Sequence, residues 1–252
     1  SYTYKLTVGK NKIAVSGITV APWNTGTITD NGKAIYTPYV TFKANGEQKF
    51  MMNAANNYTI TGLQYAVNNG KWQDVVKGKG VTFGGTHGDL RLRGTNTNGT
   101  AINVSQNSNI TFTNRTVNVA CTGDIRTLLN WEKYKTVDTK NAKFCYLFQQ
   151  CSVLTSAPEL PATTLMKNCY ESMFLDCTKL STVTMLAPSD QISEKAYCCY
   201  NWLYNAGTDK TVSSRTLKVT DEAAYTALES KAYLPAYWQE GQCTVEYYTP
   251  KP

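Results

Sequence analysis

A chain of 252 residues with 17% charged residues, 42% hydrophobic residues and a net charge of +7 is long enough to bury a core without disulfide staples. No apolar stretch approaches the roughly 18 residues of a membrane span, and Ser1 opens no signal-like run. The charge is uneven: residues 1–118 carry 12 Lys+Arg against 4 Asp+Glu, residues 119–252 carry 13 against 14, and all 8 cysteines lie in the second part. The first part reads as β. Residues 4–8 and 12–20 alternate apolar with polar side chains, and residues 39–43 and 50–53 continue the pattern. Asn45-Gly46, Asn69-Gly70 and Asn98-Gly99 supply turns that accept positive φ, and residues 63–67 and 72–76 around Asn69-Gly70 predict a hairpin. Many short strands between such turns predict an antiparallel β-sandwich over residues 28–118, with 1–27 as strands of, or a linker to, a further β domain.

The second part changes period. Helices are predicted over 139–148, capped by Asp138; over 161–174, opened by Pro161; over 193–205, closed by Gly207; and over 221–232. Short strands at 182–185, 216–219 and 244–247 alternate with them. Residues 147–154 align with 173–180 at an offset of 26, and Cys169-Tyr170 aligns with Cys199-Tyr200 at an offset of 30, with Gly207 standing where the earlier copy has Cys177. A unit of this length cannot bury its apolar side alone, so stacking is expected to join Leu154, Leu180, Phe148 and Phe174 in one core.

Cys169-Tyr170-x-x-Met173-Phe174-x-x-Cys177-Thr178-x-Leu180, with Leu154-x-x-Ala157-Pro158-x-Leu160-Pro161, resembles the BspA-like leucine-rich repeats of bacterial surface proteins, over residues 119–248. Residues 2–27 are similar to the closing strands of fimbrillin-like domains. The fold class expected is therefore mixed α and β: an N-terminal antiparallel β-sandwich, then a short leucine-rich-repeat αβ solenoid over 119–252. The resemblance implies an extracellular or outer cell-surface protein, its signal or anchor lying outside this chain, that adheres to or recognises a host or bacterial surface protein. A carbohydrate-binding component and a structural spacer in a surface or fimbrial assembly are the alternatives.

Chemistry is sparse. The one histidine, His87, lies among turn residues in Gly84-Gly85-Thr86-His87-Gly88, and nothing near it nominates a nucleophile. No Cys-x-x-Cys occurs, so zinc knuckles and dithiol redox chemistry have no motif, and Cys151 and Cys177 at equivalent repeat positions read as stacked buried hydrophobes. No enzyme, cofactor or metal is expected. Arg91 and Arg93 alternate with Leu90 and Leu92, so a strand sends both to one face, with Lys77 and Lys79 expected on its neighbour. With Tyr65 and Trp72 these are the candidate glycan or anion contacts. Aromatic residues are not expected to interleave with the basic ones as stacking platforms would need, and no nucleic-acid motif occurs, so no nucleic-acid partner is expected. The candidate protein-binding residues are Thr182, Thr184, Thr216 and Lys218, because parallel strands of a solenoid display alternate residues repeatedly on one face.

Overall fold

Short β-branched and aromatic runs cut by Gly and Asn leave little room for helices, and strands dominate the chain. The computed structural model describes residues 37–248, together with the backbone of four short strands before them. Those four form two antiparallel pairs, β1 (Leu6–Val8) with β2 (Asn11–Ile13) and β3 (Thr29–Asp30) with β4 (Lys33–Ala34), in a unit spanning Ser1–Thr37. The expected strand over 12–20 otherwise lies outside the described residues.

The second unit, Pro38–Pro252, holds the remaining strands. These are β5 (Val40–Lys43), β6 (Gln48–Ala54), β7 (Leu63–Val67), β8 (Gln73–Asp74), β9 (Val81–Phe83), β10 (Leu90–Gly94), β11 (Ser108–Phe112), β12 (Val119–Thr122), β13 (Leu154–Ser156), β14 (Thr182–Met185), β15 (Thr216–Val219) and β16 (Thr244–Tyr247). Nine of them form a mixed sheet in the order β16-β15-β14-β13-β12-β5-β10-β7-β8, and β11-β6-β9 form a second, antiparallel sheet. The hairpin around Asn69-Gly70 is present, with Gln64 opposite Asp74. The compositional break falls at β12. This strand is antiparallel to β5 and parallel to β13, and every later neighbour, β13 to β16, is also parallel.

The core runs through the break. Phe42 of β5 meets Phe50 at 6.0 Å and Phe112 at 5.5 Å from the second sheet, and Phe148 at 6.2 Å; Phe148 then stacks on Phe174 at 5.5 Å. All five rings are essentially inaccessible to water.

Three of the four expected helices are replaced by stacked turns. Among the described residues only α1 (Ser189–Glu194) and α2 (Glu222–Ser230) are α-helical, and α2 is capped by Asp221, whose carboxylate accepts from the Ala224 amide at 2.8 Å. Between 144 and 151 the N–H groups alternate in destination. Leu147, Gln149 and Cys151 donate to carbonyls three residues back, whereas Phe144, Tyr146, Phe148 and Gln150 donate to Cys169, Glu171, Met173 and Leu175 of the next coil. The coil at 168–176 is bonded in the same way to the coil at 196–204. Every fourth residue (Tyr146 and Gln150; Asn168, Ser172 and Asp176; Tyr197, Asn201 and Asn205) has φ between 52° and 64°, which an α-helix does not admit. A four-residue turn repeat places Phe144 and Phe148, or Tyr170 and Phe174, at the i, i+4 spacing of a helix, which accounts for the helical pattern in the sequence. Asp138 correspondingly caps no helix: its carboxylate accepts from the Lys140 amide in a local turn.

The left-handed positions also correct the repeat register. Asn168, Ser172 and Asp176 correspond to Tyr197, Asn201 and Asn205, an offset of 29 rather than 30. Cys169 is therefore equivalent to Cys198, and Cys177 to Ala206. The last coil is closed by Trp202, whose indole N–H donates to Tyr233 O, and by Trp238, which donates to Ala206 O, both at 2.9 Å.

Candidate functional site

Pairing in β14, β15 and β16 fixes which side chains leave the core. Val183, Met185, Leu217 and Val219 are fully buried, so the residues between them point the other way. The outward phase expected for Thr182, Thr184, Thr216 and Lys218 is the one observed: Thr182 is exposed and the other three are half-buried. Register lines them up. Ser156, Thr182, Thr216 and Thr244 form one row across four strands, and Thr184, Lys218 and Glu246 form the next. Lys218 Nζ meets Glu246 Oε2 at 2.9 Å, so the second row contains an ion pair. The face carries hydroxyls and balanced charge.

At the other end of the same sheet, Arg91 and Arg93 leave β10 together, while Leu90 and Leu92 enter the core. Their guanidinium groups lie among aromatic rings. Arg93 sits 4.1 Å from the Trp72 ring centroid and 4.0 Å from that of Trp131, and Arg91 sits 5.5 Å from Trp72 and 5.3 Å from Tyr39. Gln64 Oε1 accepts from Arg93 Nε and Nη2 at 3.3 and 3.1 Å, and Asn68 O accepts from Arg91 Nη2. Trp131 is held in place by its amide, which donates to Gly94 O at 3.0 Å. Gly94 is required there, because a Cβ would stand 2.1 Å from Leu128 O. Arginines interleaved with Tyr39, Trp72 and Trp131 are what the sequence reading denied. The rings come from positions 39, 72 and 131, so no local motif announces them.

Three of the expected contacts are corrected. Tyr65 pairs with Leu92 and faces the core, with its hydroxyl donating to Gln73 Oε1 at 3.2 Å, so its ring offers no surface. Lys77 and Lys79 are exposed but lie on no strand. They flank Gly78 (φ 73°), whose amide donates to Met52 O where the chain passes from β8 to β9 of the other sheet.

The groups that carry reactivity are occupied structurally. His87 lies in a one-turn 3-10 segment, Gly85–His87, between strands of different sheets, with Nε2 at 3.1 Å from Glu47 Oε2 in the solvent. All eight cysteines are free thiols, and seven are buried. Burial pushes Cys145 and Cys151 up to about 12, so both are protonated at neutral pH and are poor nucleophiles. Among the described residues no group of three His, Cys, Asp or Glu side chains is placed to hold a metal ion, and no helix is long and apolar enough to cross a membrane.

Comparison with protein-family models, with curated proteins and with solved structures finds no match to this chain. Its own geometry gives a hydroxyl-bearing row at one end of the sheet, and arginines set among aromatic rings at the other.

Proposed function

We propose that this chain is a non-catalytic recognition protein of a bacterial outer surface, binding a host or bacterial surface protein through the outward rows of β14 and β15. In this reading the parallel strands with their stacked turns are a short leucine-rich-repeat solenoid of the BspA-like kind, and the antiparallel part of the mixed sheet, β5-β10-β7-β8, forms a β-sandwich with the β11-β6-β9 sheet across the Phe42, Phe50 and Phe112 contact. The observation that carries it is the register of Ser156, Thr182, Thr216 and Thr244 across four parallel strands. A row of short hydroxyl side chains costs little side-chain entropy to order; Ser156 Oγ is already committed to Cys121 O at 2.8 Å, and the outward hydroxyls of Thr182 and Thr216 are the groups offered to a partner. The Lys218–Glu246 pair at its rim favours orientation over affinity.

The test is an array of host and bacterial surface proteins probed with the wild-type chain and with Thr182→Glu/Thr216→Glu. The expected result is retention of at least one protein by the wild type and a drop of at least tenfold in the double variant. Retention unaffected by the double variant, together with glycan binding that disappears in Trp72→Ala, would establish the carbohydrate alternative instead.

A further inference from the structure

The last coil of stacked turns divides its aromatic residues between two environments. Trp202 is fully buried, whereas Tyr197 and Tyr200 are 53% and 44% exposed. Their rings meet edge to face, with centroids 5.6 Å apart and planes at 77°. Together they form one side of an open cleft of about 390 Å³, completed by Lys167, Asn168 and Glu171 from the preceding coil and by Val104 from the loop between β10 and β11. Asn168 Nδ2 donates to Glu171 Oε2, which holds amide and carboxylate side by side. The stacked turns, not the strands, carry this cleft, so it is separate from the Thr182–Thr216 rows.

Two rings at a right angle present an apolar surface bordered by polar groups, and the polar groups are of three kinds. An ammonium donates, a carboxylate accepts and an amide does both. One cation offsets one anion, so the cleft favours neither an acidic nor a basic ligand. The chemistry that engages every lining group is a neutral polyol with one apolar C–H face. A proline-rich peptide would cover the rings and offer carbonyls to Lys167, but with no N–H on its prolines it would leave the Glu171 carboxylate without a donor. We infer that the Tyr197–Tyr200 cleft is a subsite for a neutral pyranose ring, its C–H face against the tyrosines and its hydroxyls toward Asn168, Glu171 and Lys167. An open cleft accommodates a sugar that continues into a longer glycan.

Saturation-transfer NMR on the full chain tests this, with the methyl glycosides of galactose, mannose, glucose and N-acetylglucosamine as probes and acetylated hexaproline as the competing class. Transfer to the ring protons of at least one glycoside is expected. Affinity should fall at least tenfold in Tyr200→Ala and in Glu171→Gln and stay unchanged in Tyr204→Ala, whose side chain is 59% exposed on the same coil. Amide spectra establish that each variant is folded. Should Tyr200→Ala lose its fold, Tyr200→Leu takes its place, removing the ring while keeping an apolar side chain. The inference is overturned if no glycoside receives saturation, if transfer persists undiminished without the Tyr200 ring, or if hexaproline alone binds at the tyrosines.

Discussion

Cys177 holds its thiol 3.0 Å from Phe148 O, and Cys151 holds its own 3.1 Å from Ile110 O. Each is a small buried hydrophobe with a weak donor aimed at a carbonyl, which is why equivalent coils can repeat the residue without joining the sulfurs. Reactivity should follow burial. A thiol reagent applied to the native protein is expected to modify Cys243, which is half-buried, ahead of the seven buried thiols, and denaturation without reductant should release all eight; recovery of fewer than eight would show that a disulfide had formed. Arg93 is the residue where geometry outweighs charge. Its guanidinium lies between two indoles and donates twice to Gln64, so Arg93→Ala is expected to cost about 1–2 kcal/mol in urea unfolding, with a shift in tryptophan emission as Trp72 and Trp131 lose the cation between them. Lysine should rescue little of this, because a single ammonium cannot span both rings while donating twice to Gln64.

At the scale of elements, strands were legible and the stacked turns were not. Residues 182–185, 216–219 and 244–247 appear as β14, β15 and β16 because period-two burial needs only one sheet face to specify it. The segments 139–148, 161–174 and 193–205 carry apolar residues four apart, a spacing shared by an α-helix and by a wall of four-residue turns, and the bonds that decide between them go to a coil some 25 to 28 residues away. Asn168, Asn201 and Asn205 were the available clue, since Asn tolerates left-handed backbone, but Tyr146, Gln150 and Ser172 occupy the same conformation without advertising it. The candidate site divides in the same way: alternation turns Thr182 and Lys218 outward, while the rings around Arg91 and Arg93 come from three distant segments. A single substitution separates the two backbones by its sign. Alanine at Asn201 would stabilise a helix by about 0.5 kcal/mol, but at φ 52° it should destabilise the observed turn by about 1 kcal/mol, read from the urea midpoint.

For the molecule as a whole, the buried thiols and the continuous core set how it comes apart. Folded Cys145 and Cys151 keep their protons to about 12, whereas an unfolded thiol releases its proton near 9, so the native state binds more protons between those values. Their contribution is complete below pH 9 and is lost as pH rises toward 12, at about 1.4 kcal/mol per unit for each thiol. Urea midpoints measured from pH 8 to 11 should fall steadily, and a flat profile would mean that these side chains reach water in the native state. The same core argues against cutting the chain where its composition changes. β12 takes one set of hydrogen bonds from β5 and the other from β13, Ile110 N–H donates to Leu147 O at 2.7 Å, and Phe148 meets Phe42 in a tilted contact at 6.2 Å and stacks on Phe174 at 5.5 Å. Residues 119–252 expressed alone would therefore expose the β12 edge together with Phe148 and Leu147, which lose apolar cover worth about 1.5–3 kcal/mol for each fully exposed side chain. Such a fragment is expected to lose its near-ultraviolet circular dichroism and to bind a hydrophobic dye. The whole chain should pass from Pro38 onward through one unfolding transition by fluorescence and circular dichroism alike. Two separated transitions, or a fragment 119–252 with sharp near-ultraviolet bands, would place an energetic boundary at β12 that the shared phenylalanine core does not have.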